Sequence, residues 1–79
     1  MTREKVYEKL TRIFRELFDD ERICIEDETV AGDIDGWDSF MHVTLIGVIE
    51  NEFGITFNMK DVMGMKNVGQ MADVILRLS

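Results

Sequence analysis

Chemistry near neutral pH in this sequence rests first on its one histidine, His42, its one cysteine, Cys24, and a serine, Ser39, three residues before the histidine. Residues three apart on a helix are neighbours, so Ser39 and His42 can share a face. A serine nucleophile also needs an acid to orient the imidazole and donors for an oxyanion. No acid follows at suitable spacing, and no oxyanion loop is visible. His42 therefore reads as an ordinary surface or partly buried helix histidine. Cys24 reads as a small apolar anchor. A lone cysteine forms no intrachain disulfide and no cluster of soft ligands for zinc.

Asp33 and Asp35 before Gly36 suggest a calcium loop. Ala31 and His42 then fill the first and twelfth positions, where the geometry needs carboxylates, so no metal site is expected. Asp38-Ser39 is different. A serine at a helix entrance lies in the field of unpaired amides and the positive end of the macrodipole, which stabilise an attached anion. A phosphoester on Ser39 suits that field, and Asp38 can help hold a metal ion during phosphoryl transfer. Ordinary helix capping by Asp38 or Ser39 is the plainer reading.

These residues need elements to hold them. Val6, Leu10, Ile13, Phe14, Leu17 and Phe18 recur at helical spacing and predict a helix over about 3–18, capped by Thr2. From Asp19 to Asp38 no period holds, and Ile23, Ile25, Val30 and Ile34 are read as the anchors of a long connection. A second helix is predicted over Ser39–Phe53, with Val43, Ile46, Ile49 and Phe53 as its core stripe, flanked by Leu45 and Val48. Gly54 in a left-handed turn and an apolar Ile55 close it. Asn58 starts a short third helix that Gly64 limits. Asn67 and Gln70 form a capping box for a fourth, with Val68, Met71, Ala72, Ile75 and Leu78 inward. Gly47, inside the second helix, suggests close packing there, and the methionines suggest irregular core filling. The expected fold is all-α, a four-helix bundle with a long first loop and a short third helix, in one domain over 1–79.

The composition agrees. The chain has 79 residues, 46% hydrophobic and 32% charged, which is globular, with no proline. Its net charge of −7 is concentrated: residues 21–40 carry a net −6. Phosphate-backbone binding needs a basic stripe, so nucleic acid is excluded as partner. No apolar run reaches the roughly 18 residues of a membrane span, and the charged N-terminus has no signal-peptide pattern, so a cytoplasmic protein is expected.

Gly36-Trp37-Asp38-Ser39-Phe40, the second helix ending in Glu52-Phe53-Gly54-Ile55, and the late Asn67-Val68-Gly69-Gln70 follow in an order and spacing that resembles the acyl and peptidyl carrier proteins. The match covers most of the chain. The resemblance implies 4′-phosphopantetheine on Ser39, joined by a phosphodiester with help from Asp38. It implies a magnesium-dependent phosphopantetheinyl transferase as one partner, and acyl- or aminoacyl-loading and -transferring enzymes as others. The carrier itself catalyses nothing. Phe40, Met41, Glu50, Asp61 and Met65 are implied as the docking surface of a monomeric protein. Phe40 stands where the family usually has leucine, and the middle of the second helix lacks the acids usual in central fatty-acid synthesis, which points to a specialised pathway. The competing class is a helical interaction module without a cofactor.

Overall fold

The computed structural model describes residues 1–79, and four helices form where apolar spacing and caps agree. Helix α1 runs Arg3–Leu17, and Thr2 Oγ1 accepts from the Lys5 amide at 3.2 Å. Its Val6, Leu10, Ile13 and Phe14 are buried. Helix α2 runs Ser39–Phe53, α3 Met59–Gly64 and α4 Val68–Leu78. The first helix packs against α2 and α4, so the core lies along its apolar face. The all-α bundle with a long first loop and a short third helix is as expected.

Both long helices before the third close in the same way, with different residues. Gly54 adopts φ 66° after α2, and the Ile55 amide donates back to the Glu50 carbonyl at 3.1 Å. After α1 it is Asp19 that takes φ 52°, with Asp20 N–H donating to the Arg15 carbonyl at 3.0 Å. Aspartate tolerates this left-handed conformation better than most residues, although glycine takes it with no steric cost.

The long connection, residues 18–38, is tied down in pieces. Ile23, Ile25 and Ile34 are buried, as expected of anchors. Val30 is exposed instead. Its amide donates to Asp33 Oδ2 at 3.0 Å and its carbonyl accepts from Asp33 N–H at 2.9 Å, so its backbone opens a short 3-10 turn over Ala31–Asp33. Cys24 is exposed too, between two isoleucines that alternate inward. The stronger anchor is Trp37, buried edge-on against Phe14 with ring centroids 5.1 Å apart.

Helix α2 is rotated from the expected stripe. Leu45, Ile46 and Ile49 are buried and Phe53 is half-buried, while Val43 is 70% exposed and Val48 lies on the surface. The helix is uncharged from Ser39 to Ile49, so apolar spacing alone does not select a face. The buried row is Leu45, Ile46 and Ile49, and one turn before it the Trp37 indole N–H donates to His42 Nδ1 at 3.1 Å. Gly47 is not in close packing, since a Cβ built there meets nothing within 4 Å.

At α4, Asn67 Oδ1 accepts from the Gln70 amide at 2.8 Å, as a cap should. The other half of the expected box differs: Gln70 Oε1 accepts from Lys66 N–H, not from Asn67. Two further unpaired amides of that helix are taken by the first loop. Val68 N–H donates to Thr29 O at 2.9 Å and Gly69 N–H to Asp27 O at 3.0 Å. Leu78, expected inward, is exposed at the helix end. Of the methionines only Met71 is buried in the core. No helix is long and apolar enough to cross a membrane.

Candidate functional site

Ser39 is the first residue of α2, and it is exposed. Capping falls to its neighbour: Asp38 Oδ1 accepts from the Met41 amide at 2.8 Å, and the Asp38 carbonyl accepts from His42 N–H at 2.8 Å. An aspartate that caps the helix leaves the serine hydroxyl without a structural duty. Ser39 makes no side-chain hydrogen bond, and its Oγ stands free at the positive end of a fifteen-residue helix. These features fit a phosphoester: a reachable hydroxyl, no competing role, and a local field that favours an attached anion.

The entrance of α2 is rigid because of what lies under it. Trp37, two residues before the serine, packs on Phe14 and on Phe18, the latter at 6.4 Å between centroids. His42, three residues after it, stacks on the indole with an interplanar angle of 21°. Ser39 is thus bracketed by two rings bonded to each other. Sequence reasoning missed this pair. The signal was present, because a buried indole N–H demands an acceptor and a histidine follows five residues on.

The residues expected at the docking surface separate into two groups. Phe40 is 79% exposed and Met41 half-exposed, both beside Ser39. Glu50 and Asp61 are turned to internal tasks. Glu50 Oε2 accepts from the Phe57 amide at 2.8 Å and so holds the α2–α3 connection. Asp61 bonds Arg77 of α4 at 2.7 Å, its side chain is only 14% exposed, and its Oδ2 is buried without a partner. Met65 is half-buried against the core. Other large apolar side chains are exposed instead: Val43 on α2 at 70%, and Met59 and Met63 on α3 at 73% and 78%. The largest hollow, about 1010 Å³, runs along α1 past Tyr7, Arg12, Arg15 and Ile25 and does not include Ser39.

The family model for the phosphopantetheine attachment site matches residues 8–75. The chain belongs to that family. The solution structure of a holo acyl carrier protein from Geobacter metallireducens superposes with a TM-score of 0.85 at 42% identity, over 91% of this chain and 83% of that one. A crystal structure of an acyl carrier protein from Thermotoga maritima shares the fold at 20% identity and a TM-score of 0.84, over 99% and 91% of the two chains. No curated protein is significantly similar. Family membership makes this chain a carrier domain with a covalent 4′-phosphopantetheine, served by a phosphopantetheinyl transferase and by biosynthetic enzymes. Such domains carry cargo and do not catalyse.

Proposed function

We propose that Ser39 is the attachment residue and that this chain carries an acyl or aminoacyl group for enzymes of a specialised biosynthetic pathway. One observation carries the assignment: Asp38 caps α2 and frees the exposed Ser39 hydroxyl beside it. In the loading reaction Ser39 Oγ attacks the pantetheine-bearing phosphorus of coenzyme A. The bond from that phosphorus to the nucleotide breaks, 3′,5′-ADP leaves, and the serine proton passes to a base of the transferase. The second oxygen of Asp38, free of the capping bond, assists by helping to hold the transferase's magnesium ion. The arm supplies a thiol on which cargo is held as a thioester. A tethered thiol raises the local concentration of cargo at each enzyme it reaches.

Phe40 and Met41 are the docking residues favoured by exposure. Glu50, Asp61 and Met65 contribute by setting the shape of the α2–α3 corner rather than by offering free charge. A holo acyl carrier protein among the structural neighbours supports an acyl cargo. The lack of acids along Ser39–Ile49 supports a specialised lipid, polyketide or nonribosomal peptide pathway over central fatty-acid synthesis. Residues 1–79 act as one monomeric, cytoplasmic carrier domain in this reading.

The test is intact mass after incubation with coenzyme A, magnesium and a broad-specificity phosphopantetheinyl transferase. A gain of one phosphopantetheine on the Ser39 peptide, abolished in Ser39→Ala with its fold retained, is the expected result. Modification of Ser39→Ala defeats the assignment. No gain while a control carrier is modified in the same tube favours the cofactor-free interaction module.

A further inference from the structure

His42 is idle in the reading above, yet its ring is held in one tautomer. The Trp37 indole N–H donates to His42 Nδ1 at 3.1 Å. An indole N–H only donates, so Nδ1 is the acceptor, and the proton of the neutral imidazole sits on Nε2. The two nitrogens cannot exchange roles without orphaning a buried indole donor, which is costly. Trp37 is itself fixed, edge-on to Phe14 at 81°. The bond to Trp37 is the only side-chain hydrogen bond His42 makes, and the residue is half-exposed. Nε2–H is therefore an oriented donor with no acceptor in the chain.

Its place on the helix gives that donor a use. His42 lies one turn after Ser39 on the same face. An anion esterified to Ser39 requires donors around it, and few are at hand. The Met41 amide is taken by Asp38 Oδ1 and the His42 amide by the Asp38 carbonyl. No lysine or arginine occurs between Arg22 and Lys60. In the first two turns of α2, His42 carries the only side-chain N–H.

We propose that His42 Nε2–H donates to the phosphodiester on Ser39 and sets the direction in which the arm leaves α2. The proposal rests on Ser39 being the attachment residue. Trp37 acts through His42 as a positioning residue, because it determines which nitrogen carries the proton. Both bonds are compatible with one neutral ring, so the arm is held without loosening the Trp37 anchor.

The experiment uses full-length protein labelled with 15N-histidine, in apo form and after transferase loading, with the modified peptide located by mass. Long-range 1H–15N spectra are expected to show the Nε2–H tautomer in both forms. On loading, the Nε2 resonance moves and Nε2–H exchange with water slows several-fold. The 31P resonance of the loaded diester shifts in His42→Ala and returns toward wild type in His42→Gln, whose amide restores a donor. Since His42→Ala also removes the acceptor for Trp37, Trp37→Phe is the second variant: it keeps an aromatic anchor but frees the ring to populate both tautomers, and the 31P shift falls between the other two. Identical Nε2 signals in apo and loaded protein overturn the proposal, as does a 31P resonance indifferent to His42. A mass gain elsewhere than Ser39 removes the attachment reading and this proposal with it, whereas a gain on Ser39 with silent His42 signals removes the proposal alone.

Discussion

The long connection between α1 and α2 is clasped at two points by opposite kinds of interaction. Near its middle, Asp27 sits in a polar network. Its carboxylate accepts from the Tyr7 hydroxyl and from Arg3 at 2.8 Å, and Arg3 also reaches Asp73 of α4 at 2.6 Å. Near its end, Trp37 sits in an aromatic stack with Phe14, Phe18 and His42. The first clasp is mostly exposed to solvent, with Arg3 and Asp27 side chains 40% and 57% accessible. The second is centred on Trp37 and Phe14, which are buried, with Phe18 and His42 half-buried beside them. Exposed ion pairs contribute little and are screened by salt, whereas burial of a large aromatic contributes several kcal/mol. The more deeply buried clasp is the one next to Ser39, so the candidate attachment residue follows directly on a packed part of the loop.

Breaking the aromatic clasp has the largest expected effect. Trp37→Ala empties the space between α1 and the start of α2 and removes the hydrogen-bond partner of His42. A loss of about 3–5 kcal/mol is expected in urea unfolding, as for other buried large aromatics. A chain of this size has a total stability of roughly 5 kcal/mol, so the variant retains only about 0–2 kcal/mol and is marginally folded. A loss under about 1 kcal/mol would show that the stack is not what holds this end.

The polar clasp has one strong component, and it is backbone rather than charge. Gly69 lies against the loop so closely that a Cβ would stand 3.0 Å from both the Cβ and the carbonyl oxygen of Asp27. Gly69→Ala must push the loop off the start of α4 and strain the Gly69 N–H to Asp27 O bond. About 1–3 kcal/mol of destabilisation is expected, the usual range for overpacking. Glycine inside a helix normally gains stability when changed to alanine, so the sign of this result decides whether the close approach matters.

Gly47 provides the contrast. It lies inside α2 with open space where a Cβ would go. Gly47→Ala is expected to stabilise the protein by about 0.5–1 kcal/mol, because alanine restricts the unfolded chain. A destabilised variant would mean that α2 is packed more tightly there than the open surface indicates.

Much of this was legible in the residues. Thr2, Asn58 and Asn67 marked three helix starts, and Gly54 marked an end, because caps and left-handed turns are local chemistry. The prominence of Asp38-Ser39 was equally legible. What failed was the direction of side chains wherever local pattern was silent. In α2 the uncharged run Phe40–Ile49 hides the true face, and Val43, expected inward, is exposed. Val30 and Cys24 are expected as anchors because they are apolar yet are exposed, while Trp37, which is buried, stands in the sequence only as part of a motif. Glu50 and Asp61 are expected on the docking surface, and their engagement with the Phe57 amide and Arg77 depends on tertiary contacts that spacing does not encode.

The smallest effect belongs to the charges of the polar clasp, and pH separates it from the rest. Hydrogen bonds from Tyr7 and then Arg3 hold the Asp27 carboxyl below its ordinary range. A carboxylate depressed in the folded state stabilises above its unfolded value near pH 4 and loses that contribution as pH falls through its folded value. Tyr7 moves the other way, pushed up to about 12 by burial and by its bond to Asp27. Its contribution is complete below the unfolded value of about 10 and disappears as pH rises toward 12. The clasp should therefore act between about pH 4 and 10. Asp27→Asn is expected to lower the melting temperature slightly across that window at low salt, with the difference fading at high salt and below pH 4. No difference between wild type and Asp27→Asn at either pH 3 or pH 7, at low or high salt, would mean that Asp27 holds the loop through its carbonyl bond to Gly69 rather than through its charge.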